Sequence, residues 1–217
     1  MRVPESGAER PPGPTRPVRR ARSLALPAVA AAATLDVLLD GPLRGFDRWI
    51  FQDGLPPRTG AWHLFWRVVV TGGQYGLLAV LLAAAAGYVA WRGRGVAPLV
   101  RTAIWLAVTE LTIRGAQLLF ARTPPRTGSD VLFEPGYLSF PSGHAANAAA
   151  CLLVLAALLR ASRAWTIAAH AVAVAVAFAV VILGYHWPTD ALAGWALGTA
   201  LGHAGRALTG QRSGQAR

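Results

Sequence analysis

Apolar residues concentrate in six stretches of the chain, roughly 23–39, 67–91, 96–120, 142–160, 164–185 and 190–208. A helix needs roughly 20 apolar residues to cross a bilayer, so the pattern predicts an all-α bundle of six transmembrane helices. Between the first two, DGPLRGFDRWIFQDGLPPRTGAWHLFW mixes Trp, Phe and charge. That mixture suits an interfacial segment with aromatic anchors. Thr71-Gly72-Gly73 stands near the start of the second span, and Gly194, Gly198 and Gly202 form a GxxxGxxxG ridge on the sixth. A ridge without side chains lets a neighbouring helix come close, within the chain or at an oligomer seam. Residues 1–22, rich in Pro, Gly and Arg, read as a disordered tail. Residues 23–208 then form one domain and 209–217 a short second tail. No clean small-residue cleavage site follows the first apolar run, so it reads as an uncleaved span.

Composition supports a membrane protein. Of 217 residues, 54% are hydrophobic and 14% charged, and the mean hydropathy is +0.40. All 21 basic residues are arginine, against 10 acidic ones. An all-Arg, Ala-rich chain suggests a GC-rich coding genome, a hint of a bacterial source. The net charge of +11 does not point to nucleic acid, because the arginines stand in short loops between apolar runs. There they set topology and touch anionic lipid. The richer set of ends carries Arg19, Arg20, Arg22, Arg92, Arg94, Arg160, Arg163, Arg206, Arg212 and Arg217. It is expected inside, with both termini cytoplasmic in a plasma-membrane protein. Loops 40–66, 121–141 and 185–190 then face outward. Cys151 lies inside an apolar run and reads as packing.

On that outer face two histidines converge. His144 starts the fourth span and His186 ends the fifth, with Asp190 following in an H-x-x-x-D spacing. One helical turn separates His186 from Asp190, so the carboxylate is expected to accept the Nδ1–H and leave Nε2 free as a nucleophile. Ser142 and Gly143, behind Pro141, open the fourth helix. Backbone N–H groups at such an end form an anion cradle. His144 beside it is placed to give a proton to a leaving oxygen. Arg122 and Arg126 arrive from the preceding loop as phosphate clamps. Glu110 and Arg114, four apart on the third span, are expected to pair with each other.

The pieces ARTPPR (121–126), FPSGHA (140–145) and GYHWPTDALAG (184–194) resemble the motifs of the phosphatidic acid phosphatase type 2 superfamily. Its pattern runs K-x6-R-P, then P-S-G-H, then S-R-x5-H-x3-D. The resemblance covers about residues 35–208. It implies a six-span helical core shared with vanadium haloperoxidases and hydrolysis of a lipid phosphomonoester or pyrophosphate without metal or cofactor. It also implies a phosphohistidine on His186, oriented by Asp190, with His144 as the acid and Ser142 and Gly143 holding phosphate oxygens. The chain departs from the pattern in its cations. It has no lysine, and Gln117 and Pro124 stand at the Lys and Arg positions of the first motif. Ala179-Val180 replace the Ser-Arg of the third. Arg122 is the expected phosphate clamp, with Arg126 and Arg114 as alternatives. Two other readings stay open: a catalytically impaired relative that binds or moves phospholipid, and a small transporter. Against the transporter, the charged groups cluster at one lip.

Overall fold

The chain turns on a short, alanine-rich helix surrounded by its neighbours. The computed structural model describes residues 16–93 and 95–209, all helix, turn and loop. The helices are α1 (Arg16–Leu38), α2 (Pro42–Ile50), α3 (Gly60–Thr71), α4 (Tyr75–Gly93), α5 (Ala97–Phe120), α6 (Gly143–Leu158), α7 (Arg163–Ile182) and α8 (Pro188–Thr209). A single 3₁₀ turn, Pro125–Thr127, lies in the loop between α5 and α6.

Local chemistry sets the boundaries that matter. Ser142 caps α6, its hydroxyl accepting from the Ala145 N–H at 3.4 Å. Ser162 does the same for α7 through the Trp165 N–H. Past the end of α7, Gly184 takes a left-handed φ of 66°, which glycine adopts without steric cost. That turn releases the chain toward Tyr185 and His186. Pro188 then opens α8, where a missing N–H costs nothing.

In α6, Ala145, Ala146, Ala148, Ala149 and Ala150 are buried, and the helix packs on α4, α5, α7 and α8. The glycine ridge of α8 faces it. A Cβ on Gly202 would stand 3.0 Å from the Ala150 carbonyl oxygen, and one on Gly194 or Gly198 would collide with the carbonyls of Ser142 or Ala146. The ridge therefore seats α8 on α6 inside the chain, and the oligomer seam expected through Gly194, Gly198 and Gly202 has no surface there.

Three other expectations are revised. The expected second span is broken into α3 and α4 at residues 72–74. The backbone there runs close to α6: a Cβ on Gly73 would lie 2.5 Å from the His144 carbonyl oxygen. Helix α1 begins at Arg16, inside the stretch read as a tail; residues 1–15 and 210–217 of the two expected tails lie outside the described residues. Among the described residues, α4, α7 and Ala97–Thr127, which contains α5, are long and apolar enough to cross a bilayer. Residues 25–38 of α1 and α2, bent by 75°, together make a fourth candidate span. The count of six is not reached by length and composition alone: α6 has only 16 residues, and α8, though 22 residues long, is not among the helices apolar enough to cross. The protein is nonetheless an all-helical membrane protein.

Candidate active site

Where α6 begins and α7 hands over to α8, a cavity of about 390 Å³ opens. Gly143, His144 and His186 line it, together with Glu110, Arg114 and Gln117 of α5. The two imidazoles come from chain segments far apart in sequence, and their ring centroids stand 6.4 Å apart. Asn147, one turn into α6, lines the cavity and also reaches Glu110, donating from Nδ2 to Oε2 at 3.4 Å.

His186 is held in one tautomer. Its Nδ1 lies 2.8 Å from the Ser139 carbonyl oxygen. A carbonyl can only accept, so Nδ1 carries a proton, and in the neutral ring the lone pair is then on Nε2. The sequence pattern assigns this orienting role to Asp190, whose Oδ2 is 3.6 Å away. Asp190 acts one step back instead. It accepts from the Ser139 hydroxyl at 2.5 Å, from the Trp187 N–H at 3.0 Å, and from Arg122 Nη1 at 2.7 Å. The Ser139 hydroxyl, whose oxygen is 3.4 Å from Nδ1, bridges the carboxylate to the ring.

Arg122 is not at the cavity. Its side chain is fully buried, and its guanidinium is divided among Asp47, Asp130 and Asp190, at 2.8, 2.8 and 2.7 Å. Nη1 also donates to the Thr189 hydroxyl at 2.8 Å, and the group lies over the Trp187 ring. The three carboxylates around it offset the cost of burying its charge. Asp47 is anchored in turn by the Thr189 N–H at 2.9 Å and by the Thr189 hydroxyl. Asp130 also receives Arg44 at 2.8 Å. Burial opposes its charge, yet Arg122 and Arg44 hold the Asp130 carboxyl below the usual carboxylate range. Loop 121–141, helix α2 and the start of α8 are thus tied together around one cation.

The other expected contacts divide. Gly143 lines the cavity, and a Cβ there would stand 3.1 Å from Gln117 Nε2. Ser142 is fully buried, its N–H donating to the Asp190 carbonyl at 2.9 Å and its hydroxyl capping α6. It ties the start of α6 to the start of α8. Arg126 is exposed and stacks over Tyr185, 5.6 Å from the ring centroid. The arginine that lines the cavity is Arg114, bonded to Glu110 Oε1 at 3.0 Å and to Gln117 Oε1 at 3.1 Å. The expected Glu110–Arg114 pair is therefore present. Sequence reasoning missed Ser139, Asp47, Asp130 and Thr189; only the clustering of Asp in residues 40–66 hints at a buried partner for Arg122.

Two histidines facing one polar cavity at the end of a bundle of apolar helices define a membrane protein with a candidate phosphate-handling site. The sequence profile of the PAP2 superfamily matches residues 77–213, more than half of the chain, and the protein belongs to that family. Among solved structures the chain resembles the first transmembrane PAP2 type phosphatidylglycerolphosphate phosphatase from Bacillus subtilis. The TM-score is 0.60 at 21% identity, over 94% of this chain and 90% of that one. No curated protein matches the sequence at a significant level.

Proposed function

We propose that the protein hydrolyses a lipid phosphate through a phosphohistidine on His186, at the extracytoplasmic face of the plasma membrane. The observation that carries this reading is the facing of two imidazoles, 6.4 Å apart, across a cavity that also holds Arg114. A nucleophile approaches its target to about 3–3.5 Å and a proton donor sits about 2.6–3.2 Å from its acceptor. Both reaches are short, so the two rings must line the same cavity, as they do.

In the proposed sequence, His186 Nε2 attacks phosphorus while the bond from phosphorus to the lipid oxygen breaks. His144 gives its proton to the departing oxygen. Water then attacks the phosphohistidine, the P–N bond breaks, and His144 takes the water's proton. Arg114 and the backbone at Gly143 bind the phosphoryl oxygens, whose charge is spread in the transition state. Asp190, Ser139 and Arg122 act by holding His186. The arginine-rich ends opposite the site support its placement outside. The likeness to a phosphatidylglycerolphosphate phosphatase supports a phospholipid among the substrates.

Inorganic phosphate release from lipid phosphates in detergent micelles tests the reading. The expected result is release by the native protein, loss in His186→Ala, and an acid-labile, base-stable phosphoryl adduct on His186 during turnover. Equal release by the two proteins rejects it. Binding of lipid phosphate with no release by either would leave a lipid-binding relative.

A further inference from the structure

We infer that Glu110, through its ion pair with Arg114, restricts the cavity to phosphomonoesters and disfavours diphosphates. This rests on the proposed phosphatase reading and names its substrate class. Among the described residues lining the cavity, the carboxylate and guanidinium groups are Glu110 and Arg114 alone. They are bonded to each other at 3.0 Å, so their charges largely cancel. The other nearby arginines do not add to the balance: Arg122 is enclosed by three carboxylates and Arg126 lies on Tyr185.

Glu110 is also fixed in place. Its side chain is 20% exposed and is held by Arg114 at one oxygen and Asn147 at the other. It cannot swing away from an arriving anion without leaving the Asn147 amide without its acceptor. Arg114 keeps unused N–H groups: Nε and Nη1 are engaged on Glu110 and Gln117, while a guanidinium has five N–H donors. One guanidinium suits a single phosphoryl group of roughly two negative charges. A lipid diphosphate brings about one charge more and a second set of oxygens to a cavity that already holds a carboxylate. Like charges brought together in a partly desolvated cavity repel strongly.

The test compares a prenyl monophosphate and a prenyl diphosphate with the same tail, each in mixed micelles. The expected kcat/KM favours the monophosphate by roughly tenfold or more. In Glu110→Gln, which keeps a hydrogen-bond acceptor for Arg114, the preference should shrink about tenfold with an unchanged melting temperature. A native protein that takes the diphosphate equally well overturns the inference. So does a Glu110→Gln variant that slows both substrates alike, since that is the signature of a merely structural role. Binding of inorganic phosphate and pyrophosphate to the His186→Ala protein reads the same discrimination without turnover. There phosphate should bind more tightly, with the gap closing in the Glu110→Gln double variant; tighter pyrophosphate binding overturns the inference. Absence of turnover in the native protein, with the binding preference intact, would instead defeat the phosphatase reading.

Discussion

The Ser139 carbonyl oxygen lies 2.8 Å from His186 Nδ1, closer than the Asp190 carboxylate at 3.6 Å. The backbone thus sets the histidine's tautomer, and the carboxylate secures the backbone's position through the Ser139 hydroxyl. Ser139→Ala keeps the carbonyl but removes the hydroxyl bridge. It should lower kcat about tenfold with little change in KM. Asp190→Asn disturbs Ser139, Trp187 and Arg122 together and should cost more, about 10²-fold or greater, the scale of losing one positioned polar group in an active site. Steady-state phosphate release measures both, and a large loss in Asp190→Asn with none in Ser139→Ala would return the direct orienting role to Asp190.

Arg122 is a structural cation, and its removal should show in stability before it shows in substrate binding. Leaving Asp47, Asp130 and Asp190 buried without their shared partner should destabilise the protein by about 3–5 kcal/mol. Arg122→Ala should therefore lower the melting temperature sharply. Arg122→Lys, with one ammonium replacing a planar fork, should recover only part. A phosphate clamp would behave differently, raising KM at constant melting temperature.

The same network sets an acid limit. The Asp130 carboxyl is held below its ordinary value by Arg122 and Arg44, so its charged form is favoured by folding. Its contribution is present above about pH 4, the unfolded carboxylate value, and is lost as pH falls through the lower folded value. The melting-temperature gap between the native protein and Asp130→Asn should be wide at pH 7 and should close below about pH 4. Melting scans from pH 3 to 7 check this, and a constant gap would exclude Asp130 as its source.

Much of this site was legible along the chain, and the legible part has a common character. Ser142-Gly143-His144 and His186-x-x-x-Asp190 are short, local patterns whose geometry follows from one helix end or one helical turn. The part that was not legible is made of distant pairs. Asp47 meets Arg122 and Thr189 from 75 and 142 residues away along the chain, and in sequence it is one of several charges in an interfacial segment. Ser139 acts through its carbonyl, which every residue possesses and no motif marks. The glycine ridge was visible, but its direction was not, because close approach looks the same toward a second copy as toward α6. The close approach of Gly73 to the His144 carbonyl is a contact no local pattern encodes.

The ridge yields a contrast between glycines. A Cβ on Gly198 would meet the backbone of Ala146, whereas one on Gly87 in α4 would meet nothing within 4 Å. Gly198→Ala should cost about 1–3 kcal/mol, the usual penalty for overpacking, and should also lower activity, since α6 and α8 carry His144 and Asp190. Gly87→Ala should be near neutral. Thermal unfolding of the two variants decides it, and their oligomeric state should be the same as that of the native protein.

Arg114 and Arg126 give the sharpest separation of expectation from geometry. Both stand near the same end of the bundle, but Arg114 lines the cavity with His144 and His186 while Arg126 lies over Tyr185. If Arg114 is the cation that meets the phosphoryl oxygens, Arg114→Ala should reduce kcat/KM by about 10²–10³, the cost of removing one transition-state donor. The Arg114 side chain is 53% exposed, and an exposed ion pair contributes about 1 kcal/mol or less, so the melting temperature should hardly move. Arg126→Ala should leave kcat/KM within about twofold. Phosphate release from a single lipid monophosphate, measured on both variants beside the native protein, separates the two roles. A large loss in Arg126→Ala with none in Arg114→Ala would mean that the loop closes over the cavity on substrate binding and that the charge comes from Arg126.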